Sequence, residues 1–141
     1  MLRFQEVWGH HPYPAYPCDP VAFENQCAIR MGVALQGAGM SIDDYTGLLC
    51  YPNYGHDPRH ILRAQELADW LLTKEGDVGK ATKRKNVSAA DYKDMNGIVF
   101  VKDGWGATDH IDVWNGVKGE MKGGKPEYFA LGKEVWFWKL A

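Results

Sequence analysis

The spacing of apolar positions predicts a clear helix in the middle of the chain. Between residues 61 and 72, apolar side chains recur every three or four positions, which is the pattern of a helix with one buried face. Asp57 and Pro58 form a capping residue and a first-turn residue in front of this pattern, so we expect a helix from about residue 58 to Thr73. The expected buried positions are Ile61, Leu62, Ala64, Leu67, Ala68, Leu71 and Leu72.

An earlier helix is predicted over about residues 21–37, but two starts fit the sequence. Its apolar positions, which fall on one stripe, are Cys27, Met31, Ala34 and Leu35. Asp19 followed by Pro20 is a good N-terminal pair, and Asn25 is also a good cap. The two starts differ in where they put Cys27: in the first turn if Asn25 is the cap, and in the middle of the helix if it begins at Pro20.

Strand patterns are confined to the last third of the chain. Residues 97–101 form a short, β-branched apolar run, and residues 134–140 are apolar almost throughout. Residues 110–114 form a third candidate strand, and the Asn-Gly pair at 115–116 that follows is a strong turn signal. Helices followed by antiparallel strands predict an α+β fold, and the length fits one domain, residues 1–141, with one core.

The N-terminal Pro-rich segment, residues 9–20, is predicted to be extended and irregular. Aromatic side chains lie in and beside it at Trp8, Tyr13 and Tyr16. Such residues either pack beneath a loop or line a binding groove, and packing is the more common case.

The polar stretch over residues 74–96 bears on possible partners. Ser88 and Asp91 have the spacing of a capping box, so a short helix is expected there. The basic run 80–85 is expected to be a solvated face, because the formal net charge of −2 does not attract nucleic acid or an anionic membrane. No apolar run approaches the ~18 residues of a membrane span, and the first residues lack the apolar core of a signal peptide. We therefore expect no nucleic-acid partner, no membrane span and no Sec-type export.

Cys27 is the candidate nucleophile. A thiol in the first turn of a helix gains from the unpaired backbone N–H groups there, which favour its thiolate. This holds if the helix starts after Asn25, and most of the gain is lost if it starts at Pro20. A cysteine on an apolar stripe is otherwise a small buried hydrophobic residue.

His110 is the candidate general base, because it lies on a predicted strand that would hold the imidazole rigidly. The other four histidines lie in the Pro-rich segment, in a turn or early on the central helix, at His10, His11, His56 and His60. Three residues could orient the imidazole. Asp112 shares a face with His110, although the spacing of about 7 Å is long for contact. Glu120 could fold back after the turn, and Asn115 ends the strand. We rank Glu120 and Asp112 nearly level.

An oxyanion also needs hydrogen-bond donors. The N–H of Cys27 would supply one, and the side chain of Gln26 or of the Pro-rich segment could supply another. The sequence does not decide between these.

The cysteine count of three is compatible with one bridged pair and one reactive thiol. The pairing would join Cys18 to Cys50, and three reduced thiols remain an equal alternative. His56 and His60 lie four apart with Cys50 nearby, but no second pair of ligands completes a zinc set, so we expect no metal and no other cofactor.

Two motifs resemble the fourth family of type VI secretion amidase effectors. They are Asn-x-Cys-Ala-Ile-Arg at residues 25–30 and Asp-His-Ile-Asp-x-Trp-Asn-Gly at residues 109–116. The resemblance implies a papain-like peptidoglycan amidase that cleaves the γ-D-glutamyl–meso-diaminopimelate bond of stem peptides, with Cys27 as nucleophile and His110 as base. It implies an acid after the Asn-Gly turn, which favours Glu120. The family has an aspartate there, and this chain has none after residue 116, so Asp112 stays a candidate.

The resemblance also implies where the protein acts and what binds it. It would be an antibacterial toxin injected without a signal peptide into the periplasm of a target bacterium, and a cognate immunity protein would block its groove. A Cys18–Cys50 bridge would suit that oxidising compartment. The alternatives are a glycan- or peptide-binding module, which the aromatic content also fits, another thiol enzyme such as a deamidase or transpeptidase, and a structural or immunity-type partner protein.

Overall fold

The fold is an antiparallel sheet with helices contributed mainly by the first half of the chain. A computed structural model describes residues 1–18, 25–50, 60–106 and 108–141. The helices are α1 (Phe4–His10), α2 (Cys27–Gly37), α3 (Ala64–Leu71), α4 (Glu75–Val78) and α5 (Tyr128–Leu131), with a 3-10 helix at Ala89–Tyr92. The strands are β1 (Thr82–Arg84), β2 (Asn96–Trp105), β3 (Thr108–Asn115), β4 (Glu120–Met121) and β5 (Glu134–Lys139).

The five strands lie in the order β1-β5-β2-β3-β4, and every neighbouring pair is antiparallel. The three predicted strands are the three longest, and they form the centre of the sheet. In the β2–β3 pair, Val101 lies opposite His110 and Asn96 lies opposite Asn115. Strand β4 pairs with β3 only at Trp114 and Asn115, so the part of β3 that carries His110 has a ladder partner on one side, β2.

Alternating side chains of the central strands fill two layers of core. One layer joins the sheet to α1, α2 and α3 and includes Ile98, Phe100, Ile111, Val113, Trp136 and Trp138. The other includes Val99, Val101, Trp114, Phe137, Tyr92 and Phe129. Successive side chains of these strands point to opposite faces, and both faces are buried, so the strands are apolar at nearly every position. The predicted α+β class, with N-terminal helices packed on a small antiparallel sheet, is confirmed.

The central helix begins later than predicted. Helix α3 starts at Ala64, whereas Ile61 and Leu62 are extended. The backbone of this stretch is paired elsewhere: Cys50 N–H donates to the carbonyl of His60 and Leu62 N–H donates to that of Leu48. These long-range bonds replace the helical bonds that the local pattern predicted. The expected cap at residues 57–58 lies outside the described residues, as does the alternative start of the first helix at residues 19–20.

Helix α1 was not predicted, and it extends to His10, so the prediction of an irregular segment over residues 9–20 is wrong for residues 9–10. Its seven residues bury only Phe4 and Val7. Distant partners hold its start, since Leu2 N–H donates to the carbonyl of Asp77 and Phe4 N–H donates to that of Ala141. In the Pro-rich segment that follows, Tyr13 and Tyr16 are exposed.

The polar stretch behaves as expected. Ser88 N–H donates to Asp91 Oδ2 at 2.8 Å and so starts the predicted short helix, which is a 3-10 turn. The basic run includes β1, whose residues are exposed on this edge of the sheet. Among the described residues, no helix has both the length and the apolar character needed to cross a bilayer.

Candidate active site

Cys27 is the first residue of α2. Asn25 and Gln26 are not helical, so the later of the two predicted starts is the one observed, and the thiol lies at the helix N-terminus. The Asn25 side chain caps this turn, because Cys27 N–H donates to Asn25 Oδ1 at 3.2 Å. The residue is 8% exposed, so it is largely shielded from solvent. In this state the backbone N–H that we expected to serve the oxyanion is bound to Asn25.

His110 lies on β3 and contacts both Asp112 and Cys27. Its Nε2 lies 2.8 Å from Asp112 Oδ2, and the Cys27 thiol is close enough to the imidazole to influence its pKa. The spacing of two residues on one strand face therefore allows direct contact, contrary to our expectation. The distance of about 7 Å applies to the Cα atoms, whereas the two side chains lean toward each other along the strand.

The charge state of His110 follows from these contacts. Burial lowers the pKa of the imidazole, but the hydrogen bond to the Asp112 carboxylate and the interaction with the Cys27 sulfur outweigh burial and raise the pKa to about 10. His110 is therefore an imidazolium at neutral pH. An imidazolium beside a thiol at a helix N-terminus stabilises the thiolate, which is the nucleophilic form.

Asp112 is completely buried and surrounded by donors. Val113 N–H donates to Oδ1 at 2.8 Å, and Gly123 N–H donates to both oxygens, at 3.1 and 2.9 Å. His11 Nε2 lies 3.5 Å from Oδ1, and its side chain is 1% exposed. Two backbone donors and two imidazoles therefore fix the carboxylate, as burial of a charged group requires.

Two glycines allow this close approach. A Cβ at Gly124 would lie 2.9 Å from His110 Nε2 and 2.6 Å from a ring carbon of Tyr128. A Cβ at Gly123 would lie 3.3 Å from Asp112 Oδ2 and 3.4 Å from His11 Cε1. The Tyr128 ring meets the His110 ring edge to face at 5.1 Å. The Gly-Gly pair is the feature of the sequence that signals this contact.

Of the remaining predicted site residues, one lies beside Cys27 and two lie far from His110. Gln26 is buried directly before Cys27. Asn115 holds the turn after β3, because its Oδ1 accepts from the N–H groups of Val117 and Lys118. Glu120 is exposed on β4 opposite Asn115, five residues along β3 from His110, which is about 17 Å at the usual rise per residue. The structure thus brings Asp112 to the imidazole and leaves Glu120 and Asn115 at the far end of the strand.

A second cluster lies away from this site. Cys18, Cys50 and His60 each offer one ligand atom, and these atoms lie within 4.8 Å of one another. Both cysteines are buried and pack with Ile29 and Leu62. The two cysteines expected to pair are therefore neighbours, and the bridge stays a prediction. His56, the other residue of the zinc alternative, lies outside the described residues.

A cysteine at a helix start, with its histidine on an antiparallel sheet, is the papain-like architecture of thiol hydrolases. The family model described as type VI secretion system amidase effector protein 4 (Tae4) matches residues 23–138. The chain therefore belongs to the Tae4 family of type VI secretion amidase effectors.

Solved structures agree with this assignment at the level of the fold. The Tae4/Tai4 effector–immunity system from Salmonella typhimurium aligns with a TM-score of 0.74 and 20% identity, over 100% of this chain and 99% of that chain. The Tae4–Tai4 complex from Enterobacter cloacae aligns with a TM-score of 0.69 and 21% identity, over 100% and 99%. No curated protein matches the sequence significantly.

Family membership confirms the main functional prediction. The chain is an enzyme, a peptidoglycan amidase that acts as an antibacterial type VI secretion effector, and such effectors are delivered to target bacteria. His11, Gly123 and Gly124 are the residues at this site that the sequence analysis did not select.

Proposed function

We propose that residues 1–141 form one catalytic domain that cleaves the γ-D-glutamyl–meso-diaminopimelate bond of peptidoglycan stem peptides in the periplasm of the target cell. Cys27 is the nucleophile, His110 is the general acid and base, and Asp112 orients His110. The observation that carries this proposal is the 2.8 Å contact between His110 Nε2 and the buried Asp112 carboxylate, on an imidazole whose pKa the Cys27 thiol helps to raise. Asp112 replaces Glu120 in the third role, because Glu120 is at the other end of β3.

The proposed reaction follows from the charge states of the pair. The Cys27 thiolate attacks the γ-glutamyl carbonyl carbon, and the carbonyl oxygen becomes an oxyanion. His110 then gives its proton to the leaving amine of the diaminopimelate, and a thioester remains on Cys27. The neutral imidazole next takes a proton from water, which attacks the thioester and releases the glutamyl product. Asp112 keeps Nε2 protonated throughout, so Nδ1 is the nitrogen that exchanges the proton.

Gln26 is our candidate for an oxyanion donor. It immediately precedes Cys27 and is 4% exposed, so its amide is at the right end of α2 and shielded from water. The Cys27 N–H could become the second donor if it exchanges Asn25 Oδ1 for the oxyanion, which carries more charge than an amide oxygen.

We further propose that a cognate immunity protein covers this site in producing cells. The support is that the Salmonella typhimurium and Enterobacter cloacae Tae4 proteins were solved as complexes with Tai4. We also propose that Cys18 and Cys50 form a disulfide in the periplasm, since their sulfur atoms lie within 4.8 Å. A thiol oxidant of that compartment would accept the two electrons and two protons released.

Digestion of purified sacculi tests the proposed reaction. The wild-type protein and Cys27→Ala are incubated with sacculi, and the soluble fragments are identified by mass spectrometry. We expect a new diaminopimelate amino terminus with the wild type and none with Cys27→Ala, whose melting temperature is measured to show that the variant is folded. Cleavage at another bond would refute the assigned specificity, and activity of Cys27→Ala would refute the nucleophile.

The same digestion separates the alternatives. A transpeptidase would leave new crosslinks, a deamidase would release ammonia, and a binding module would release no fragments while remaining bound to the sacculi. The orienting role is tested separately below, because it concerns the rate and not the product.

A further inference from the structure

We propose that His11, a residue outside the sheet, is a positioning residue that holds the Asp112 carboxylate and through it His110. This inference rests on the proposed function, because it assigns a partner to the group that orients the proposed base. No sequence pattern distinguishes His11, which lies in the Pro-rich segment beside a second histidine. The structure separates the two: His10 is half exposed on α1, whereas the His11 side chain is 1% exposed.

The backbone around His11 determines which ring nitrogen carries the proton. Tyr13 N–H donates to His11 Nδ1 at 3.3 Å, so Nδ1 is the acceptor. In a neutral imidazole the other nitrogen then carries the hydrogen. This nitrogen, Nε2, is the one that lies 3.5 Å from Asp112 Oδ1. At that distance the contact is long for a hydrogen bond, and its main contribution is an N–H dipole directed at a buried charge.

The electrostatic surroundings keep His11 neutral. Burial lowers its pKa, and although the Asp112 charge acts in the opposite sense, Lys122, Arg30 and His110 lower it further, to about 4. His11 thus does not compete with His110 for the charge of the carboxylate. His11 offers the carboxylate one N–H group and no positive charge. It can therefore position Asp112 without altering the ion pair between Asp112 and His110.

The segment that carries His11 is held against the helix that carries the nucleophile. Arg30 lies one turn after Cys27, and its Nε donates to the carbonyl of Ala15 at 3.0 Å. Its guanidinium also lies 5.1 Å from the ring centres of both Tyr13 and Tyr16. The Pro-rich segment is therefore fixed to α2 by Arg30 and faces Asp112 through His11. This links the position of the carboxylate to that of the nucleophile by a route outside the sheet.

A pair of side-chain replacements separates the two contacts of His11. In His11→Asn, the amide oxygen can take the place of Nδ1 and accept from Tyr13 N–H, but the side chain is too short to reach Asp112. In His11→Gln, the amide nitrogen can take the place of Nε2 and face Asp112. His10→Gln is the matched control, because the His10 side chain is half exposed and its Nδ1 donates to the Glu6 carbonyl at 2.8 Å. Each variant is assayed for kcat and KM on muropeptides, and for its melting temperature.

We expect His11→Asn to lower kcat by about tenfold with KM changed less than about twofold, because positioning of the base affects the reaction more than substrate binding. His11→Gln should recover kcat to within about threefold of the wild type, and His10→Gln should match it. Proton NMR supplies a second readout: the His110 Nε2–H signal should be retained in His11→Gln and broadened by exchange in His11→Asn.

Two results would overturn the proposal. One is a wild-type kcat for His11→Asn, and the other is an equal loss of kcat in His11→Gln and His11→Asn with both variants folded. If the wild type cleaves no muropeptide, the proposed function fails by itself. The role of His11 is then judged by the rate at which iodoacetamide alkylates Cys27, located by peptide mapping, with the same order of variants expected.

Discussion

Replacing Asp112 by Asn tests the orienting role most directly. Each oxygen of the carboxylate faces donors: Oδ1 accepts from Val113 and Gly123 N–H, and Oδ2 accepts from His110 Nε2 and Gly123 N–H. An Asn side chain must turn its NH2 group toward one of these sets, so a donor meets a donor in either orientation. If NH2 faces His110, the charge-assisted bond is lost. A bond of that kind contributes about 1.5–3 kcal/mol, which corresponds to about a 10- to 150-fold loss in kcat/KM.

The assay compares Asp112→Asn with Glu120→Gln, the isosteric change at the rival position. Muropeptide cleavage gives kcat/KM, and urea denaturation gives the free energy of unfolding of each variant. For Asp112→Asn we also expect about 1–3 kcal/mol of lost stability, since one buried donor becomes unpaired. Glu120→Gln is exposed and about 17 Å along the sheet, so it should stay within about twofold of the wild type. A larger loss of kcat/KM in Glu120→Gln than in a folded Asp112→Asn would refute our reasoning.

The remaining predictions concern pH and redox state. The alkaline limb of the pH profile of kcat/KM should follow deprotonation of His110, whose pKa is raised to about 10. Asp112→Asn should move this limb to lower pH. A limb that does not move would contradict the contact between Asp112 and His110. The pKa of His11 in the folded protein is about 4, below its ordinary value of 6.5. The free energy of unfolding should therefore fall as the pH drops from 6.5 to about 4, by up to about 3 kcal/mol. His11→Gln should lack this loss in denaturation curves. A Cys18–Cys50 bridge should make the oxidised protein about 2 Da lighter and about 4 kcal/mol more stable than the reduced protein. Cys18→Ser should show neither the mass change nor the added stability. A tightly bound zinc ion in place of the bridge would show that the two cysteines bind metal with His60.

Local patterns predicted the parts of the fold that local physics determines. The runs at residues 97–101 and 134–140 are strands in the structure, because β-branched and aromatic residues suit a sheet that is covered on both faces. The start of α3 was missed for the opposite reason. Residues 60–62 bond to residues 48–50, and a helical pattern contains no information about such a long-range partner. Helix α1 was missed because its first N–H groups depend on carbonyls at Asp77 and Ala141.

The candidate site divides in the same way. Cys27 could be placed by its capping residue and His110 by its strand, since each depends on neighbours in the sequence. The residue that orients the imidazole could not be placed in this way. Its identity depends on the register of the sheet and on the Gly123 N–H, which donates to the Asp112 carboxylate. A spacing measured between Cα atoms made Asp112 seem too distant, and the family pattern drew attention to Glu120. Side-chain direction along the strand, rather than spacing, decides that contact.

Charge balance explains why the two imidazoles around Asp112 differ. The carboxylate has no exposure to water, so it can balance only the positive charge that lies closest to it. His110 has a 2.8 Å hydrogen bond to Asp112 and lies beside the Cys27 thiol, and its pKa is raised, whereas burial lowers the pKa of His11, with Lys122 and Arg30 acting in the same sense. A second imidazolium would be an uncompensated buried charge. The shorter contact with Asp112, supported by the thiol beside His110, therefore decides which ring carries the proton used in catalysis and which ring only holds the carboxylate.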